Sequence, residues 1–96
     1  MIAKQYLMRA QDGDGAALRL ALEALAESVR KLPGCQRVEL LGDLSDEHRF
    51  LFTEQWPDID MHLASAKLMP KDDLARVLAA LREPPASAHF AYLKTC

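Results

Sequence analysis

Phe52, Glu54 and Trp56 stand at every second position of one stretch. Alternate side chains of an extended strand share a face, so this spacing sets a carboxylate between two large aromatics. His62 follows Trp56 by six positions, beyond the Pro57-Asp58 pair, and proline is well placed in a first helical turn. A helix folding back from the strand end brings His62 to the Trp56 corner. A near-neutral imidazole there can take a proton from a bound molecule or hydrogen-bond to it. Glu54 would orient the ring and raise its basicity. The same pair can equally satisfy itself as a polar tie between helix and sheet, and spacing alone leaves both readings open. Trp56 itself is either a pocket wall or a core plug at the strand–helix corner.

Other chemistries find less support. Cys35 and Cys96 form no CxxC pair and no metal-ligand spacing, which suits reduced thiols in a cytoplasmic protein. Cys35 follows a turn but lacks an evident histidine partner, so a small buried thiol is expected. No set of His, Asp or Glu converges as metal ligands would. Asp58, Asp60, Asp72 and Asp73 fall where helix N-termini welcome negative charge. Gly13, Gly15, Gly34 and Gly42 all fall in turns. No glycine-rich phosphate loop exists, and neither a nucleotide nor a flavin cofactor is expected. Met8, Met61 and Met69 read as core filler. His48 reads as surface, and His89 opens the last strand with either role available.

The charge balance narrows the partners. Twelve basic and fourteen acidic side chains leave a net charge of −2 and a pI near 5.9. Nucleic acid or an anionic membrane would call for a basic face, so neither is an expected partner. No apolar run approaches the ~20 residues that span a bilayer. The opening Met1-Ile2-Ala3-Lys4 lacks the pattern of a signal peptide. At 96 residues, half of them apolar, the chain is expected to form one domain over residues 1–96.

Ile2 to Arg9 alternates as a strand does. Turn residues Gln11 to Gly15 follow, with Asp14 placed as a helix N-cap. Leu18, Leu22, Leu25, Val29 and Leu32 then recur at helical spacing, predicting a helix over Gly15 to Leu32 that ends at Pro33-Gly34. Cys35 to Leu41 reads as a strand, Gly42 to Glu47 as a hairpin connection, and Arg49 to Trp56 as the next strand. In the helix after Pro57-Asp58, Ile59, Leu63 and Ala66 share a face. Met69-Pro70 breaks or kinks it, and Leu74, Val77, Leu78 and Leu81 carry a second stripe to Pro84-Pro85. Ala88 to Lys94 reads as a last strand.

That order predicts an α+β, ferredoxin-like split βαββαβ fold, an antiparallel sheet with helices on one face. Tyr6 on the central first strand is favoured over Tyr92 for a hydroxyl inside a cavity, the alternative for both being water at a sheet edge. Phe50, Phe52 and Trp56 oppose Leu51; Tyr6 and Met8 oppose Leu7; Phe90 and Tyr92 oppose Leu93. Both sheet faces are partly apolar, yet helices cover only one. A second cover is expected, most simply the same face of another copy in a two-fold homodimer. Arg37 and Glu39 would then form an intersubunit ion pair or a solvated edge.

These residues resemble a known family. Leu32-Pro33-Gly34-Cys35 before a strand, Arg49-Phe50 followed by Glu54-Gln55-Trp56, and His62-Leu63-Ala64-Ser65 are together similar to the antibiotic biosynthesis monooxygenase domain, in its quinol-monooxygenase-like group. The resemblance spans nearly the whole chain. It implies a dimeric α+β barrel. In some members it implies cofactor-independent oxidation of aromatic quinols or anthrones by dioxygen. Trp56, Phe52, Tyr6 and Tyr92 would then contact a small aromatic substrate, and His62 and Glu54 would be catalytic. In the family the helical histidine usually lies further past the tryptophan than His62 does. The haem-degrading branch typically uses an Asn on the first strand. Gln5-Tyr6-Leu7 offers none, and haem degradation is disfavoured. A non-catalytic ligand-binding or interaction dimer is the rival expectation. An isomerase of the muconolactone type is a third.

Overall fold

The computed structural model describes residues 1–96. Strand β1 (Ile2–Arg9) leads to helix α1 (Gly15–Arg30), then to the hairpin of β2 (Arg37–Asp43) and β3 (Asp46–Trp56). Helices α2 (Ile59–Ala66) and α3 (Lys71–Ala80) follow, and β4 (Ala86–Ala91) closes the chain. The sheet order is β2-β3-β1-β4, antiparallel throughout. This is the expected ferredoxin-like α+β topology, with β1 central.

The register assigns the faces. Tyr6 pairs with Phe52, Lys4 with Glu54 and Ile2 with Trp56 between β1 and β3. Across β1 and β4, Lys4 pairs with His89 and Tyr6 with Ser87. Directly paired residues share a face. The helix-covered face therefore carries Lys4, Tyr6, Met8, Phe50, Phe52, Glu54, Trp56, Ser87 and His89. Leu18, Leu22, Leu25 and Val29 of α1 press onto it, joined by Val77, Ala80 and Leu81 from α3 and its end. Burying each such large aliphatic contributes roughly 1.5–3 kcal/mol. The opposite face leaves Leu7, Leu41 and Phe90 exposed. Arg37 and Glu39 form an exposed ion pair at 3.1 Å, next to each other on that same face.

Polar ties hold the helices in place. Ser28 Oγ donates to Asp73 Oδ2 at 2.6 Å, fastening α1 to α3. Asp58 caps α2 by accepting from the Met61 amide at 2.8 Å. Ser65 Oγ donates to the Pro33 carbonyl at 2.5 Å, tying α2 to the turn after α1. In that turn Gly34 has φ +87°, and a Cβ there would run into the Met61 side chain. The left-handed backbone and the close approach of α2 both require glycine.

Several details differ from the sequence expectations. Asp14 occupies the N-cap position of α1, but its side chain makes no capping bond. The second strand begins two residues later than expected, at Arg37, and runs to Asp43. The third starts at Asp46 rather than Arg49, because the hairpin closes in a tight turn at Leu44-Ser45. The last strand spans Ala86–Ala91 rather than Ala88 to Lys94, since pairing with β1 ends opposite Ile2. Pro70 separates two helices outright. In α2 the buried positions are His62 and Ser65, while Ile59 and Leu63 are exposed. The helix turns a polar edge to the sheet, where His62 meets the Glu54 carboxyl and Ser65 donates to the Pro33 carbonyl. In α3, Val77 and Ala80 are buried while Leu74 and Leu78 stay exposed.

Candidate functional site

The end of β3 carries the polar centre. Glu54 and Trp56 are each only 1% exposed. Trp56 donates from Nε1 to Glu54 Oε1 at 2.9 Å, so the strand's period of two itself builds the first contact. His62 Nε2 lies 3.5 Å from the same oxygen, and its ring sits over Trp56 with centroids 5.3 Å apart. The short chain spacing between Trp56 and His62 still brings the two together. Asp58 starts α2 immediately past the strand, and His62 occupies its first inward position. The other nitrogen of His62, Nδ1, is 2.9 Å from His89 Nε2, and the two imidazoles meet edge-on at 5.1 Å.

Glu54 is an acceptor when ionised, and it faces His62 Nε2. With the proton of a neutral His62 placed on Nε2, toward Glu54, Nδ1 accepts from His89 Nε2–H. The three groups line up from β4 through α2 to β3, the two histidines hydrogen-bonded and His62 in charge contact with Glu54. Lys4 stands directly across from His89 on β1. Its ammonium lies 5.1 Å from the Tyr6 ring centroid and donates to Ser87 Oγ at 3.3 Å. Tyr6 meets Phe52 edge-on, centroids 6.2 Å apart.

The electrostatics follow from burial. Desolvation raises the Glu54 carboxyl above its usual range, with the Trp56 hydrogen bond and the Lys4 charge pulling partly the other way. Burial lowers His62, helped by His89 and Lys4. It also lowers His89, again with Lys4 contributing. Both imidazoles are thus neutral and able to accept a proton at neutral pH. Tyr6 is pushed well above the ordinary phenol value by burial, then by Glu54, so it acts as a neutral hydroxyl.

The shifts have opposite consequences for stability. The unfolded chain protonates histidine at the ordinary value of 6.5, where folded His62 stays neutral. Stability therefore falls as pH drops below 6.5 toward the depressed folded value. Glu54 works in the other sense: the fold favours its protonated form, and that contribution fades as pH rises from 4.5 through its elevated folded value. Subtracting the melting curve of His62→Gln isolates the histidine share. The wild type is expected to lose ground to the variant between about pH 7 and about pH 5. A difference that stays constant over that range would contradict a buried neutral His62.

The sequence candidates are placed unequally. Glu54, Trp56 and His62 come together, with Phe52 and Tyr6 beside them on the same sheet face. Phe52 and Trp56 are 1% exposed, so they form the packed floor of the site rather than open walls. None of the five principal surface depressions is lined by Glu54, Trp56, His62 or His89. The accessible rim is Lys4, Tyr6, Ser87 and His89. Tyr92 is not part of the cluster. It lines a shallow depression on the opposite sheet face with Leu41, Leu51 and Phe90, because Ala91 ends β4 and Tyr92 continues on the outward side. His89 and Lys4 are the residues that sequence reasoning left without a role. Lys4 and Tyr6 do share a period-two face in the sequence, but the pairing of Lys4 with His89 depends on tertiary register.

No group of three or more His, Cys, Asp or Glu is arranged to hold a metal ion. No helix is long and apolar enough to cross a membrane. Residues 1–68 match the antibiotic biosynthesis monooxygenase family. No curated protein matches the chain in sequence. Among solved structures, PA3566 from Pseudomonas aeruginosa superposes with a TM-score of 0.82 at 24% identity, covering 97% of this chain and 94% of that one. Rv0793 from Mycobacterium tuberculosis gives 0.82 at 21%, covering 98% and 96%. SnoaB, a cofactor-independent oxygenase from Streptomyces nogalater, gives 0.80 at 16%, covering 98% and 94%. Likeness at these identities shows the shared fold.

Proposed function

The chain belongs to the antibiotic biosynthesis monooxygenase family, and on that premise we propose that it is a cofactor-independent monooxygenase-like enzyme. Its substrate class is a small aromatic quinol or anthrone, and dioxygen is the oxidant. The observation that carries this reading is the buried Glu54–His62 centre, continued by a histidine at the accessible rim. SnoaB, described as a cofactor-independent oxygenase on the same fold, lends support.

The chemistry asks little of the protein. An electron-rich aromatic becomes a strong reductant once it loses a proton, and its anion can pass an electron to dioxygen. For an anthrone, the ring CH2 becomes C=O, one oxygen atom entering carbon and the other leaving as water. The protein supplies a base, a surface for the ring and donors for its oxygens. The imidazole–carboxylate centre anchored by His62 and Glu54, with His89 at its rim, takes the proton. Tyr6 offers an aromatic edge and a neutral hydroxyl, Lys4 steadies the anion, and Phe52 and Trp56 make the apolar floor beneath.

The exposed sheet face completes the proposal. Leu7, Leu41, Phe90 and Tyr92 leave apolar surface opposite the helices. A second copy related by a two-fold axis covers it with the same residues.

The test is oxygen uptake by purified, metal-free protein with a menadiol-class quinol and with an anthrone, each against spontaneous autoxidation. His62→Ala and Glu54→Gln are expected to lower turnover by about 100-fold or more, the size of a general-base contribution. If both variants melt earlier but turn over as the wild type does, the pair is only a tie between helix and sheet. One observation favours the rival reading of a non-catalytic ligand-binding dimer: Phe52 and Trp56 fill the space between helix and sheet. Tight binding of the aromatic without accelerated oxygen uptake would select that reading. Product formed without oxygen consumption would point to an isomerase.

A further inference from the structure

We infer that His89 Nδ1, at the outer end of the chain Glu54–His62–His89, is the atom that takes the substrate proton, with His62 a positioning residue behind it. The inference rests on the oxygenase reading for its substrate but on geometry for its assignment.

Neither nitrogen of His62 is open to a bound molecule. Nε2 faces Glu54 Oε1 at 3.5 Å and Nδ1 faces His89 Nε2 at 2.9 Å. The ring is 5% exposed and lies against Trp56. A substrate hydroxyl has no free nitrogen of His62 to approach. His89 is half-buried, uses Nε2 toward His62, and makes no hydrogen bond through Nδ1. The tautomers follow from the buried end outward. A proton on His62 Nε2, the nitrogen 3.5 Å from Glu54 Oε1, leaves Nδ1 to accept from His89 Nε2–H, and His89 Nδ1 keeps its lone pair for an incoming proton.

The step balances as a proton transfer. The O–H bond of the substrate breaks, its electron pair staying on the phenolate oxygen, and a new N–H bond forms at His89 Nδ1. The resulting imidazolium donates from Nε2 to His62, whose Nε2–H points at the Glu54 carboxylate. The positive charge is thus steadied through two rings by a buried acid. Register alone places Lys4 opposite His89 and Tyr6 opposite Ser87. The phenolate would form beside an ammonium and a phenol hydroxyl on the same face.

The charged and titratable groups facing His89 are Lys4 from β1 and His62 from α2, with Tyr6 and Glu54 next along β1 and β3. The pH profile of turnover reads them as follows. His89→Gln is expected to lower kcat/KM about 100-fold and to abolish the acidic limb of its profile, with little change in melting temperature because the residue lies at the rim. His62→Gln is expected to keep an acidic limb but move its midpoint, as a positioning residue should. If His89→Gln keeps the wild-type rate and limb while His62→Gln loses the limb, His62 is the base and the assignment is overturned.

A second readout does not depend on turnover. Ring ¹⁵N spectra of the wild type should show a pyridine-type Nδ1 in both histidines and a pyrrole-type Nε2 in both. Adding 1-naphthol, a phenol of the substrate class, should move the His89 Nδ1 signal further than either His62 nitrogen. The reverse order of shifts, or no shift in either ring, overturns the assignment. Should the wild type fail to accelerate quinol oxidation, the oxygenase reading falls. The naphthol spectra then still decide whether His89 receives a phenol.

Discussion

Trp56→Ala is expected to cost about 3–5 kcal/mol, as truncation of a fully buried indole does. Against a total of roughly 5–15 kcal/mol for a domain this size, that is a large share. The melting temperature should fall by more than about 15 °C. Two separate losses add here. The indole fills the corner where β3 meets α2, under the His62 ring. Its Nε1–H is also the one direct hydrogen bond to a carboxyl that is 1% exposed. Trp56→Phe separates them by keeping most of the bulk and removing the donor, at a cost of about 1–3 kcal/mol. It should also raise the Glu54 carboxyl further, since the Trp56 bond, ahead of the Lys4 charge, opposes the effect of burial. Thermal melts of both variants, with Glu54 followed by carboxyl ¹³C titration, check this. An unchanged Glu54 titration in Trp56→Phe would show that the indole bond carries no electrostatic weight.

The proposed two-fold pair predicts that aspartate at both Leu51 and Phe90 leaves a particle of single mass, 10.7 kDa, with the helical and sheet signals of the fold retained. The two positions lie on the face away from the helices and line one depression with Leu41 and Tyr92. In a two-fold pair each substitution is met by its own image, so like charges gather in a contact that was apolar. Neither side chain contributes to the buried core of the monomer. Sedimentation at micromolar concentration distinguishes the outcomes. A wild type already at single mass would refute the pairing. A double variant that stays paired would place the contact elsewhere.

The order of strands and helices was legible along the chain, because loop punctuation and the periods of two and 3.6 are local properties. The same holds for the sheet faces. Phe50, Phe52 and Trp56 declare theirs by alternation, and burial follows that pattern. Glu54 could be read as lying between two aromatics, and His62 as lying near the strand end, from spacing alone. Boundaries were less legible. Where β4 stops depends on how far β1 offers a partner, and where β3 starts depends on the hairpin turn.

The rotation of α2 shows where local pattern fails. Ile59, Leu63 and Ala66 make the more apolar stripe, yet the helix buries His62 and Ser65. An amphipathic reading weighs each helix by itself. The folded helix answers to a carboxylate and a carbonyl that other segments deliver to its underside, and leaving the carbonyl unpaired would cost about 1–3 kcal/mol.

Composition and periodicity determined the α+β topology, the apolar sheet faces, and the carboxylate flanked by aromatics, since each is written in nearest-neighbour chemistry. Only the tertiary structure decided that His89 reaches His62, that Lys4 stands across from it, and that Tyr92 lies on the opposite face. Those contacts join residues far apart in the chain, and strand register, which is a property of the whole sheet, sets which side chains meet.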